Sequence, residues 1–145
     1  MEREILFRGK RKDNGEWIKG YYVPLGDKYH YILTGKLTII KNFPVFEHFY
    51  VIPETIGRYT DLRDKNKVRI FEGDIIKTKK YGKDVGHSNV NDYDIFVVTY
   101  EPCMFRLINK TRGFCLDDDG YSKQEVIGNI HDNPEMREKL RYIGL

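Results

Sequence analysis

The stretch that most constrains what this chain can fold into comprises residues 57–77, which combine two turn signals with an apolar strand pattern. A polar run at residues 63–67 separates two short extended segments and is rich in residues that favour turns, which predicts a β-hairpin. Gly73 then interrupts a second apolar run. Glycine can take a positive φ, and the carboxylate of Asp74 can accept a neighbouring backbone N–H. We therefore expect a hairpin followed by a sharp corner.

The first forty residues contain further strand-like segments joined by turn residues. Residues 4–8 and 16–23 flank a connection that ends in Asp-Asn-Gly at residues 13–15, and this pattern predicts a first hairpin. The alternation over residues 28–40 predicts a second hairpin, whose turn we expect at residues 34–36.

A run rich in aromatic residues and interrupted by proline follows at residues 42–53. Proline removes a backbone donor, so the run is predicted to be an edge strand or an irregular apolar connection. Its clustered rings, Phe46, Phe49 and Tyr50, indicate either packing between the two halves of the chain or a surface for a partner. Trp17 has a similar pair of interpretations, a ring of the core or an interface, or a ring that stacks on a ligand.

The second half of the chain is also typical of strands. Residues 95–100 form the strongest continuous apolar run and are predicted to be buried on both faces. Residues 104–108 and 114–116 predict another hairpin, and residues 124–130 predict a closing strand.

The C-terminal residues predict one short helix. Asn133 suits the N-cap and Pro134 the first helical position, while Gly144 stands where a C-cap would be. Three apolar residues recur at i, i+4 and i+7, a stripe that would dock on the sheet or on another subunit. They are Met136, Leu140 and Ile143.

Two blocks of the sequence resemble the YopX family of phage and prophage proteins. They are IPETIGRYTDLRDKNKVRIFEGDII at residues 52–76 and EVIGNIHDNPEM at residues 125–136. A third block, REILFRGKRKDNGEW at residues 3–17, extends the resemblance to most of the chain. Residues 81–100 match nothing in the family. The family usually has Gly where this chain has Asp61, and Asn-Gly where this chain has Asn66-Lys67.

The resemblance implies a mainly β protein with a small β-barrel of the Src-homology type, encoded by a phage or an integrated prophage. It brings no assigned activity and no catalytic residues. Combined with the patterns above, it predicts an N-terminal β-hairpin region at residues 1–53, then a YopX-like barrel with a short C-terminal helix at residues 54–145. One continuous domain is the alternative.

The charge and hydropathy of the sequence limit which partners the protein can bind and in which compartment it can act. The chain has 25 Lys and Arg against 22 Asp and Glu, and a formal net charge of +3 is too small to imply a polyanion partner by itself. No apolar run reaches the roughly 20 residues of a membrane span, and the charged N-terminus lacks a signal-peptide core. We therefore expect the cytoplasm of a bacterial host, with no membrane partner. In that compartment Cys103 and Cys115 are predicted to stay reduced.

One basic and aromatic cluster lies in a long polar segment, residues 77–94, which is predicted to be an exposed loop. Cations can neutralise phosphates while a ring stacks on a base, so the cluster is a candidate contact for single-stranded nucleic acid. A solvated strand end is the alternative. The residues are Lys77, Lys79, Lys80, Tyr81 and Lys83.

No motif for catalysis, metal or cofactor is recognisable in the sequence. The acidic run at residues 117–119 lacks the ligand spacing of an EF-hand, and the two cysteines lack the further ligands of a zinc site. We therefore expect no catalytic residues, cofactor or metal.

Two function classes follow from the sequence. One is a non-catalytic phage accessory protein that binds a protein or single-stranded nucleic acid; the alternative is an enzyme whose site is assembled from separated segments. Exposed sheet edges and the helix stripe also suggest self-association.

Overall fold

A computed structural model describes residues 4–79, 93–109, 113–116 and 124–140, without the side chains of Lys79, Phe114 and Lys139. Within these residues the fold is mainly β, as predicted, with one short C-terminal helix. The elements in chain order are β1 (Phe7–Lys10), β2 (Trp17–Leu25), β3 (Tyr29–Ile40), β4 (Phe43–Tyr50), a single 3₁₀ turn (Pro53–Thr55), β5 (Gly57–Arg63), β6 (Arg69–Phe71), β7 (Asp74–Lys79), β8 (Tyr93–Glu101), β9 (Met104–Ile108), β10 (Gly113–Cys115), β11 (Glu125–Asn129) and α1 (Pro134–Leu140).

The chain divides into two compact units, Met1–Tyr59 and Thr60–Leu145. In the first unit the strands follow the order β4-β3-β2-β1, and the start of β5 pairs with β1. In the second unit the end of β5 is the neighbour of β6, and a five-stranded antiparallel sheet has the order β10-β9-β8-β7-β11. The division of the chain at residues 53 and 54 stays a prediction. Within the described residues the pairings do not close the sheet into a barrel, so the barrel also stays a prediction.

The first unit has a small core on one side of its sheet. Ile32 of β3 and Val51, just after β4, are fully buried there. Gly9 lies against both of them, because a Cβ at this position would be 3.2 Å from atoms of each side chain. The predicted first hairpin is confirmed, since β1 pairs with β2 from Phe7↔Gly20 to Lys10↔Trp17.

The predicted second hairpin within residues 28–40 is wrong, because its two halves form a single strand. Residues 34–36 do not reverse the chain; β3 continues from Tyr29 to Ile40, and its register with β4 shifts between Leu33 and Leu37. Gly35 absorbs this irregularity with a φ of +85°. The reversal occurs at Lys41 and Asn42, which both have positive φ, as a two-residue hairpin turn requires.

The strand order decides one further N-terminal prediction, whereas both interpretations of Trp17 stay predictions. The proline-containing strand β4 is at the edge of its sheet, as expected for residues that include Pro44. Trp17 is half-buried on β2.

The second unit is built around β8, whose alternate residues enter two apolar clusters. Phe96 and Val98 pack in one cluster with Ile70, Ile76 and Leu107. Val97 enters a second cluster, with Ile75 and Leu140 of the helix. The prediction that this strand is buried on both faces is therefore confirmed for residues 96–98.

The hairpin and corner expected in residues 57–77 are present. Gly73 has a φ of +84°, and the carboxylate of Asp74 accepts the backbone N–H of Phe71 at 2.7 Å. The corner is tied to its neighbours by two backbone bonds, from Gly73 N to Val98 O and from Ile130 N to Gly73 O. The local sequence signal was therefore sufficient for this part of the fold.

The last elements agree with the sequence where they are described. The helix begins at Pro134, and its Met136 and Leu140 face the second cluster. The Asn133 side-chain oxygen accepts the N–H of Asn129, an additional contact that the N-cap prediction did not include. Both cysteines are free, with Cys103 in the β8–β9 turn and Cys115 paired with Arg106. Residues 117–119, Ile143 and Gly144 lie outside the described residues.

A candidate ligand-binding face on the first sheet

The nucleic-acid contact predicted at residues 77–83 is only partly described. Lys77 lies on β7, and its Nζ is 4.3 Å from the centre of the Tyr93 ring. Lys79 ends the same strand. Lys80, Tyr81 and Lys83, together with the side chain of Lys79, lie outside the described residues, so this site stays a prediction.

A different set of aromatic and basic side chains comes together on the first unit. Directly paired residues of an antiparallel sheet project to the same face, and alternate residues of a strand project to opposite faces. The buried Ile32 lies on the core side of β3, so its neighbour Tyr31, with the paired residues Val23 and Tyr50, projects to the opposite side. We call this outward side the tyrosine face. By register it carries Arg8, Lys10, Trp17, Lys19, Tyr21, Tyr29, Tyr31, His48 and Tyr50.

The rings at the β3–β4 side of the tyrosine face contact one another. The ring centres of Tyr31 and Tyr50 are 5.1 Å apart, and Tyr29 is 6.0 Å from Tyr50. His48 meets Tyr31 edge to face at 5.6 Å. The hydroxyl of Tyr50 donates to the carbonyl of Lys28 at 2.7 Å, which holds this ring in place. The contacts form an ordered group of rings rather than separate exposed side chains.

Cations from a short basic run, residues 8–12, lie against aromatic rings of the first unit. On the tyrosine face, Arg8 and Lys10 are 4.8 and 5.5 Å from the centre of the Trp17 ring. Lys12 Nζ is 4.7 Å from the centre of the Tyr50 ring. Each distance is within the range of a cation–π interaction, so the positive charges are placed beside aromatic surface.

The turn after β1 is fixed by an ion pair between Arg11 and Asp13. The guanidinium donates to both carboxylate oxygens, at 2.9 Å from Nε and 2.5 Å from Nη2. This side-chain hydrogen bond holds the pKa of Asp13 below its ordinary value and raises the pKa of Arg11. Arg11 also lies 4.0 Å from the centre of the Phe49 ring. The negative charge next to Lys12 is thus already engaged by a cation.

An open hollow of about 460 Å³ lies where the basic run meets the rings. Four aromatic rings line it, together with Lys12 and with Asp13, whose carboxylate is engaged by Arg11. The lining residues are Lys12, Asp13, Tyr31, His48, Phe49 and Tyr50. Such a hollow can hold a flat, uncharged ring with an anionic group beside it.

The net charge is concentrated in the unit that carries this face. Residues 1–59 contain ten Lys and Arg against seven Asp and Glu, whereas residues 60–145 contain fifteen of each. The formal charge of +3 therefore comes from the first unit. This unit would attract an anion more strongly than the same charge spread evenly over the chain would.

The sequence contained one signal for this site that the prediction did not use. Residues 8–12, RGKRK, hold four cations in five positions, a density greater than that of the predicted loop. Which rings they would meet depends on the register of β1 with β2 and of β3 with β4, and composition does not specify register.

Fold and site together define a class, a small two-unit antiparallel β protein with an open aromatic and basic face. A family model described as YopX protein matches residues 6–138, and the chain belongs to the YopX family. The predicted family is therefore confirmed.

A crystal structure supports the fold. Protein EF1440 from Enterococcus faecalis is similar to this chain with a TM-score of 0.58 and 25% sequence identity. The similarity covers 93% of this chain and 99% of that one. No curated protein matches the chain at a significant level.

None of the helices in the described residues is long and apolar enough to cross a membrane. That part of the chain also contains no group of three or more His, Cys, Asp or Glu side chains able to hold a metal ion.

Proposed function

We propose that this chain is a non-catalytic accessory protein of a phage or prophage, which acts in the host cytoplasm by binding single-stranded nucleic acid on the tyrosine face. One observation carries the proposal. The Tyr31 ring contacts both the Tyr50 and the His48 rings beside an open hollow, and the ammonium of Lys12 lies 4.7 Å from the centre of the Tyr50 ring.

The physical argument rests on two requirements of a single strand. Every base has a π-face that can stack on an aromatic side chain, and every linkage has a phosphate that a cation can neutralise. The tyrosine face supplies both kinds of group within a few ångströms. A protein partner would use the rings but would not need the basic run at residues 8–12.

The loop predicted at residues 77–83 is a second contact within the same proposal. The ammonium of Lys77 lies 4.3 Å from the centre of the Tyr93 ring. This is a cation–π contact like that of Lys12 with Tyr50. An enzyme assembled from separated segments is the other function class, and no arrangement among the described residues favours it.

The test is a salt series with labelled single strands, measured by fluorescence anisotropy. Affinity should fall with salt with a log-log slope of roughly −0.7 per phosphate contact and should tolerate changes of base sequence. Tyr29→Ala should cost roughly 1–3 kcal/mol of binding free energy because one stacking ring is lost. Lys12→Ala should flatten the slope by about one contact.

Matched controls separate the tyrosine face from a general surface effect. Tyr100 is 51% exposed, as Tyr29 is, but belongs to the second unit, so Tyr100→Ala should leave affinity unchanged. Lys79→Ala with Lys80→Ala, and Tyr81→Ala, measure the contribution of the loop. No binding at low salt, or equal losses for Tyr29→Ala and Tyr100→Ala, would contradict the proposal and favour a protein partner.

A further inference from the structure

The basic run at residues 8–12 has a strand on each side, and each of these strands carries an aromatic ring. On one side β1 pairs with β2, where Lys10 is directly opposite Trp17. On the other side lies the end of β4, because the backbone N–H of Lys12 donates to the carbonyl of Tyr50 at 2.8 Å. The basic run is therefore the middle strand between Trp17 and Tyr50.

The two rings and the cations between them project to the same side of the sheet. An antiparallel bridge pairs Arg11 with Val51, which is 1% exposed and belongs to the core. Paired residues share a face, and neighbours along a strand alternate between faces. Lys10 and Lys12, together with the ring opposite each of them, therefore project away from the core.

Each ring has a lysine ammonium beside it that can also reach a phosphate. Lys10 Nζ is 5.5 Å from the centre of the Trp17 ring, and Lys12 Nζ is 4.7 Å from the centre of the Tyr50 ring. Arg8 also lies against Trp17, but it is only 9% exposed and is held within the packed sheet. Because a lysine side chain is long and flexible, its ammonium can turn to a phosphate while the ring receives a base.

The spacing of the two rings fits a strand of several nucleotides. Neighbouring strands lie roughly 4.8 Å apart, and two residues along a strand advance roughly 6.7 Å. Trp17 and Tyr50 are two strands and two residues apart, which places their Cα atoms roughly 12 Å from each other. At roughly 3.4 Å per nucleotide of a stacked strand, this separation corresponds to about four nucleotides. A single base can therefore occupy only one of the two rings.

We propose that Trp17 and Tyr50 are two stacking rings of one site, which a single strand of about four nucleotides crosses with its phosphates over Lys10 and Lys12. This inference rests on the proposed function and adds to it a second stacking ring and the length and path of the ligand. Trp17 then binds the ligand and does not serve packing alone. Because a mononucleotide would meet only one ring, the site selects an oligonucleotide.

The test is the binding of a thymidine oligonucleotide of about six nucleotides to the full chain, measured by fluorescence anisotropy and by the emission of Trp17, the one tryptophan of the chain. Saturation should quench this emission, because a base stacks on the indole ring. Trp17→Leu keeps an apolar side chain that cannot stack and should lower the affinity roughly fivefold or more. Trp17→Phe keeps a ring and should retain most of the affinity. Lys10→Ala should reduce the log-log salt slope by roughly 0.7.

The matched control is Tyr21→Leu, which removes a ring that is 60% exposed on the same face and the same strand β2, but that does not lie between Trp17 and Tyr50. It should leave the affinity unchanged. Circular dichroism confirms that each variant is folded.

Three outcomes would overturn this inference alone: a strand that binds without quenching Trp17, an unchanged affinity in Trp17→Leu, or equal losses in Trp17→Leu and Tyr21→Leu. In each of them, a salt slope flattened by Lys12→Ala would still support the proposed function. A parent protein that binds no single strand at low salt would overturn both.

Discussion

At the scale of single residues, the backbone of this chain is strained where residues other than glycine have a positive φ. Asp61 and Lys67 have φ of +67° and +63°. A side chain in the left-handed region brings its Cβ close to the following carbonyl. Glycine, which has no Cβ, would adopt the same φ at these positions without that contact.

Replacing Lys67 by Gly should stabilise the protein by about 0.5–1 kcal/mol. Glycine relieves the strained φ, although part of the gain is offset by its greater freedom in the unfolded chain. Urea unfolding monitored by circular dichroism measures the change. The neighbouring Asn66 is not among the positive-φ residues, so Asn66→Gly is the matched control and should not stabilise.

Replacing Gly73 by Val should destabilise the protein by more than about 1 kcal/mol, because a β-branched residue is strained at a φ of +84°. Its Cβ would also lie 3.5 Å from the His131 ring and 3.6 Å from Ile130. The midpoint of urea unfolding decides the matter. A Gly73→Val protein as stable as the parent would mean that the corner relaxes without cost.

At the scale of elements, one buried carboxylate joins the β5–β6 turn to β11. Asp64 is 1% exposed, and one of its oxygens accepts the N–H groups of Asn66 and Val68 at 2.8 and 3.0 Å. The other oxygen accepts the N–H of Val126, 62 residues further along, at 2.9 Å. The side chain thus organises a local turn and a long-range contact together.

Replacing Asp64 by Asn should cost about 2 kcal/mol of unfolding free energy. An amide has one acceptor oxygen, so its NH₂ would face at least one of the three backbone donors and leave that donor unsatisfied. Chemical unfolding provides the measurement, with Asp27→Asn as the same change at an exposed turn residue. Equal stability of the two variants would show that the three hydrogen bonds add nothing to the fold.

At the scale of the whole molecule, each unit has its own buried residues. The first is centred on Ile32 and Val51, and the second has two clusters around β8. Units with separate cores can unfold separately. The tyrosine face belongs to the first unit, whereas residues 77–83, the second contact of the proposed function, belong to the second.

We predict that the two units unfold in distinct steps. Trp17 is the one tryptophan of the chain and reports on the first unit, whereas circular dichroism reports on all strands. The midpoint of urea unfolding followed by Trp17 fluorescence should therefore differ from the midpoint followed by circular dichroism. Coincident curves would instead support one continuous domain.

Features that depend on local backbone preference were determined by the sequence alone. Glycine and turn residues placed the corner at Gly73, apolar runs placed β8, and Asn133-Pro134 placed the start of the helix. Only the tertiary structure decided the path of β3, because Gly35 can serve a turn or a bulge equally well and pairing with β4 selects the bulge. It also decided which rings lie beside Lys10 and Lys12, and that Asp64 reaches Val126. Those contacts depend on strand register and on residues distant in sequence, and a periodic pattern does not specify either of them.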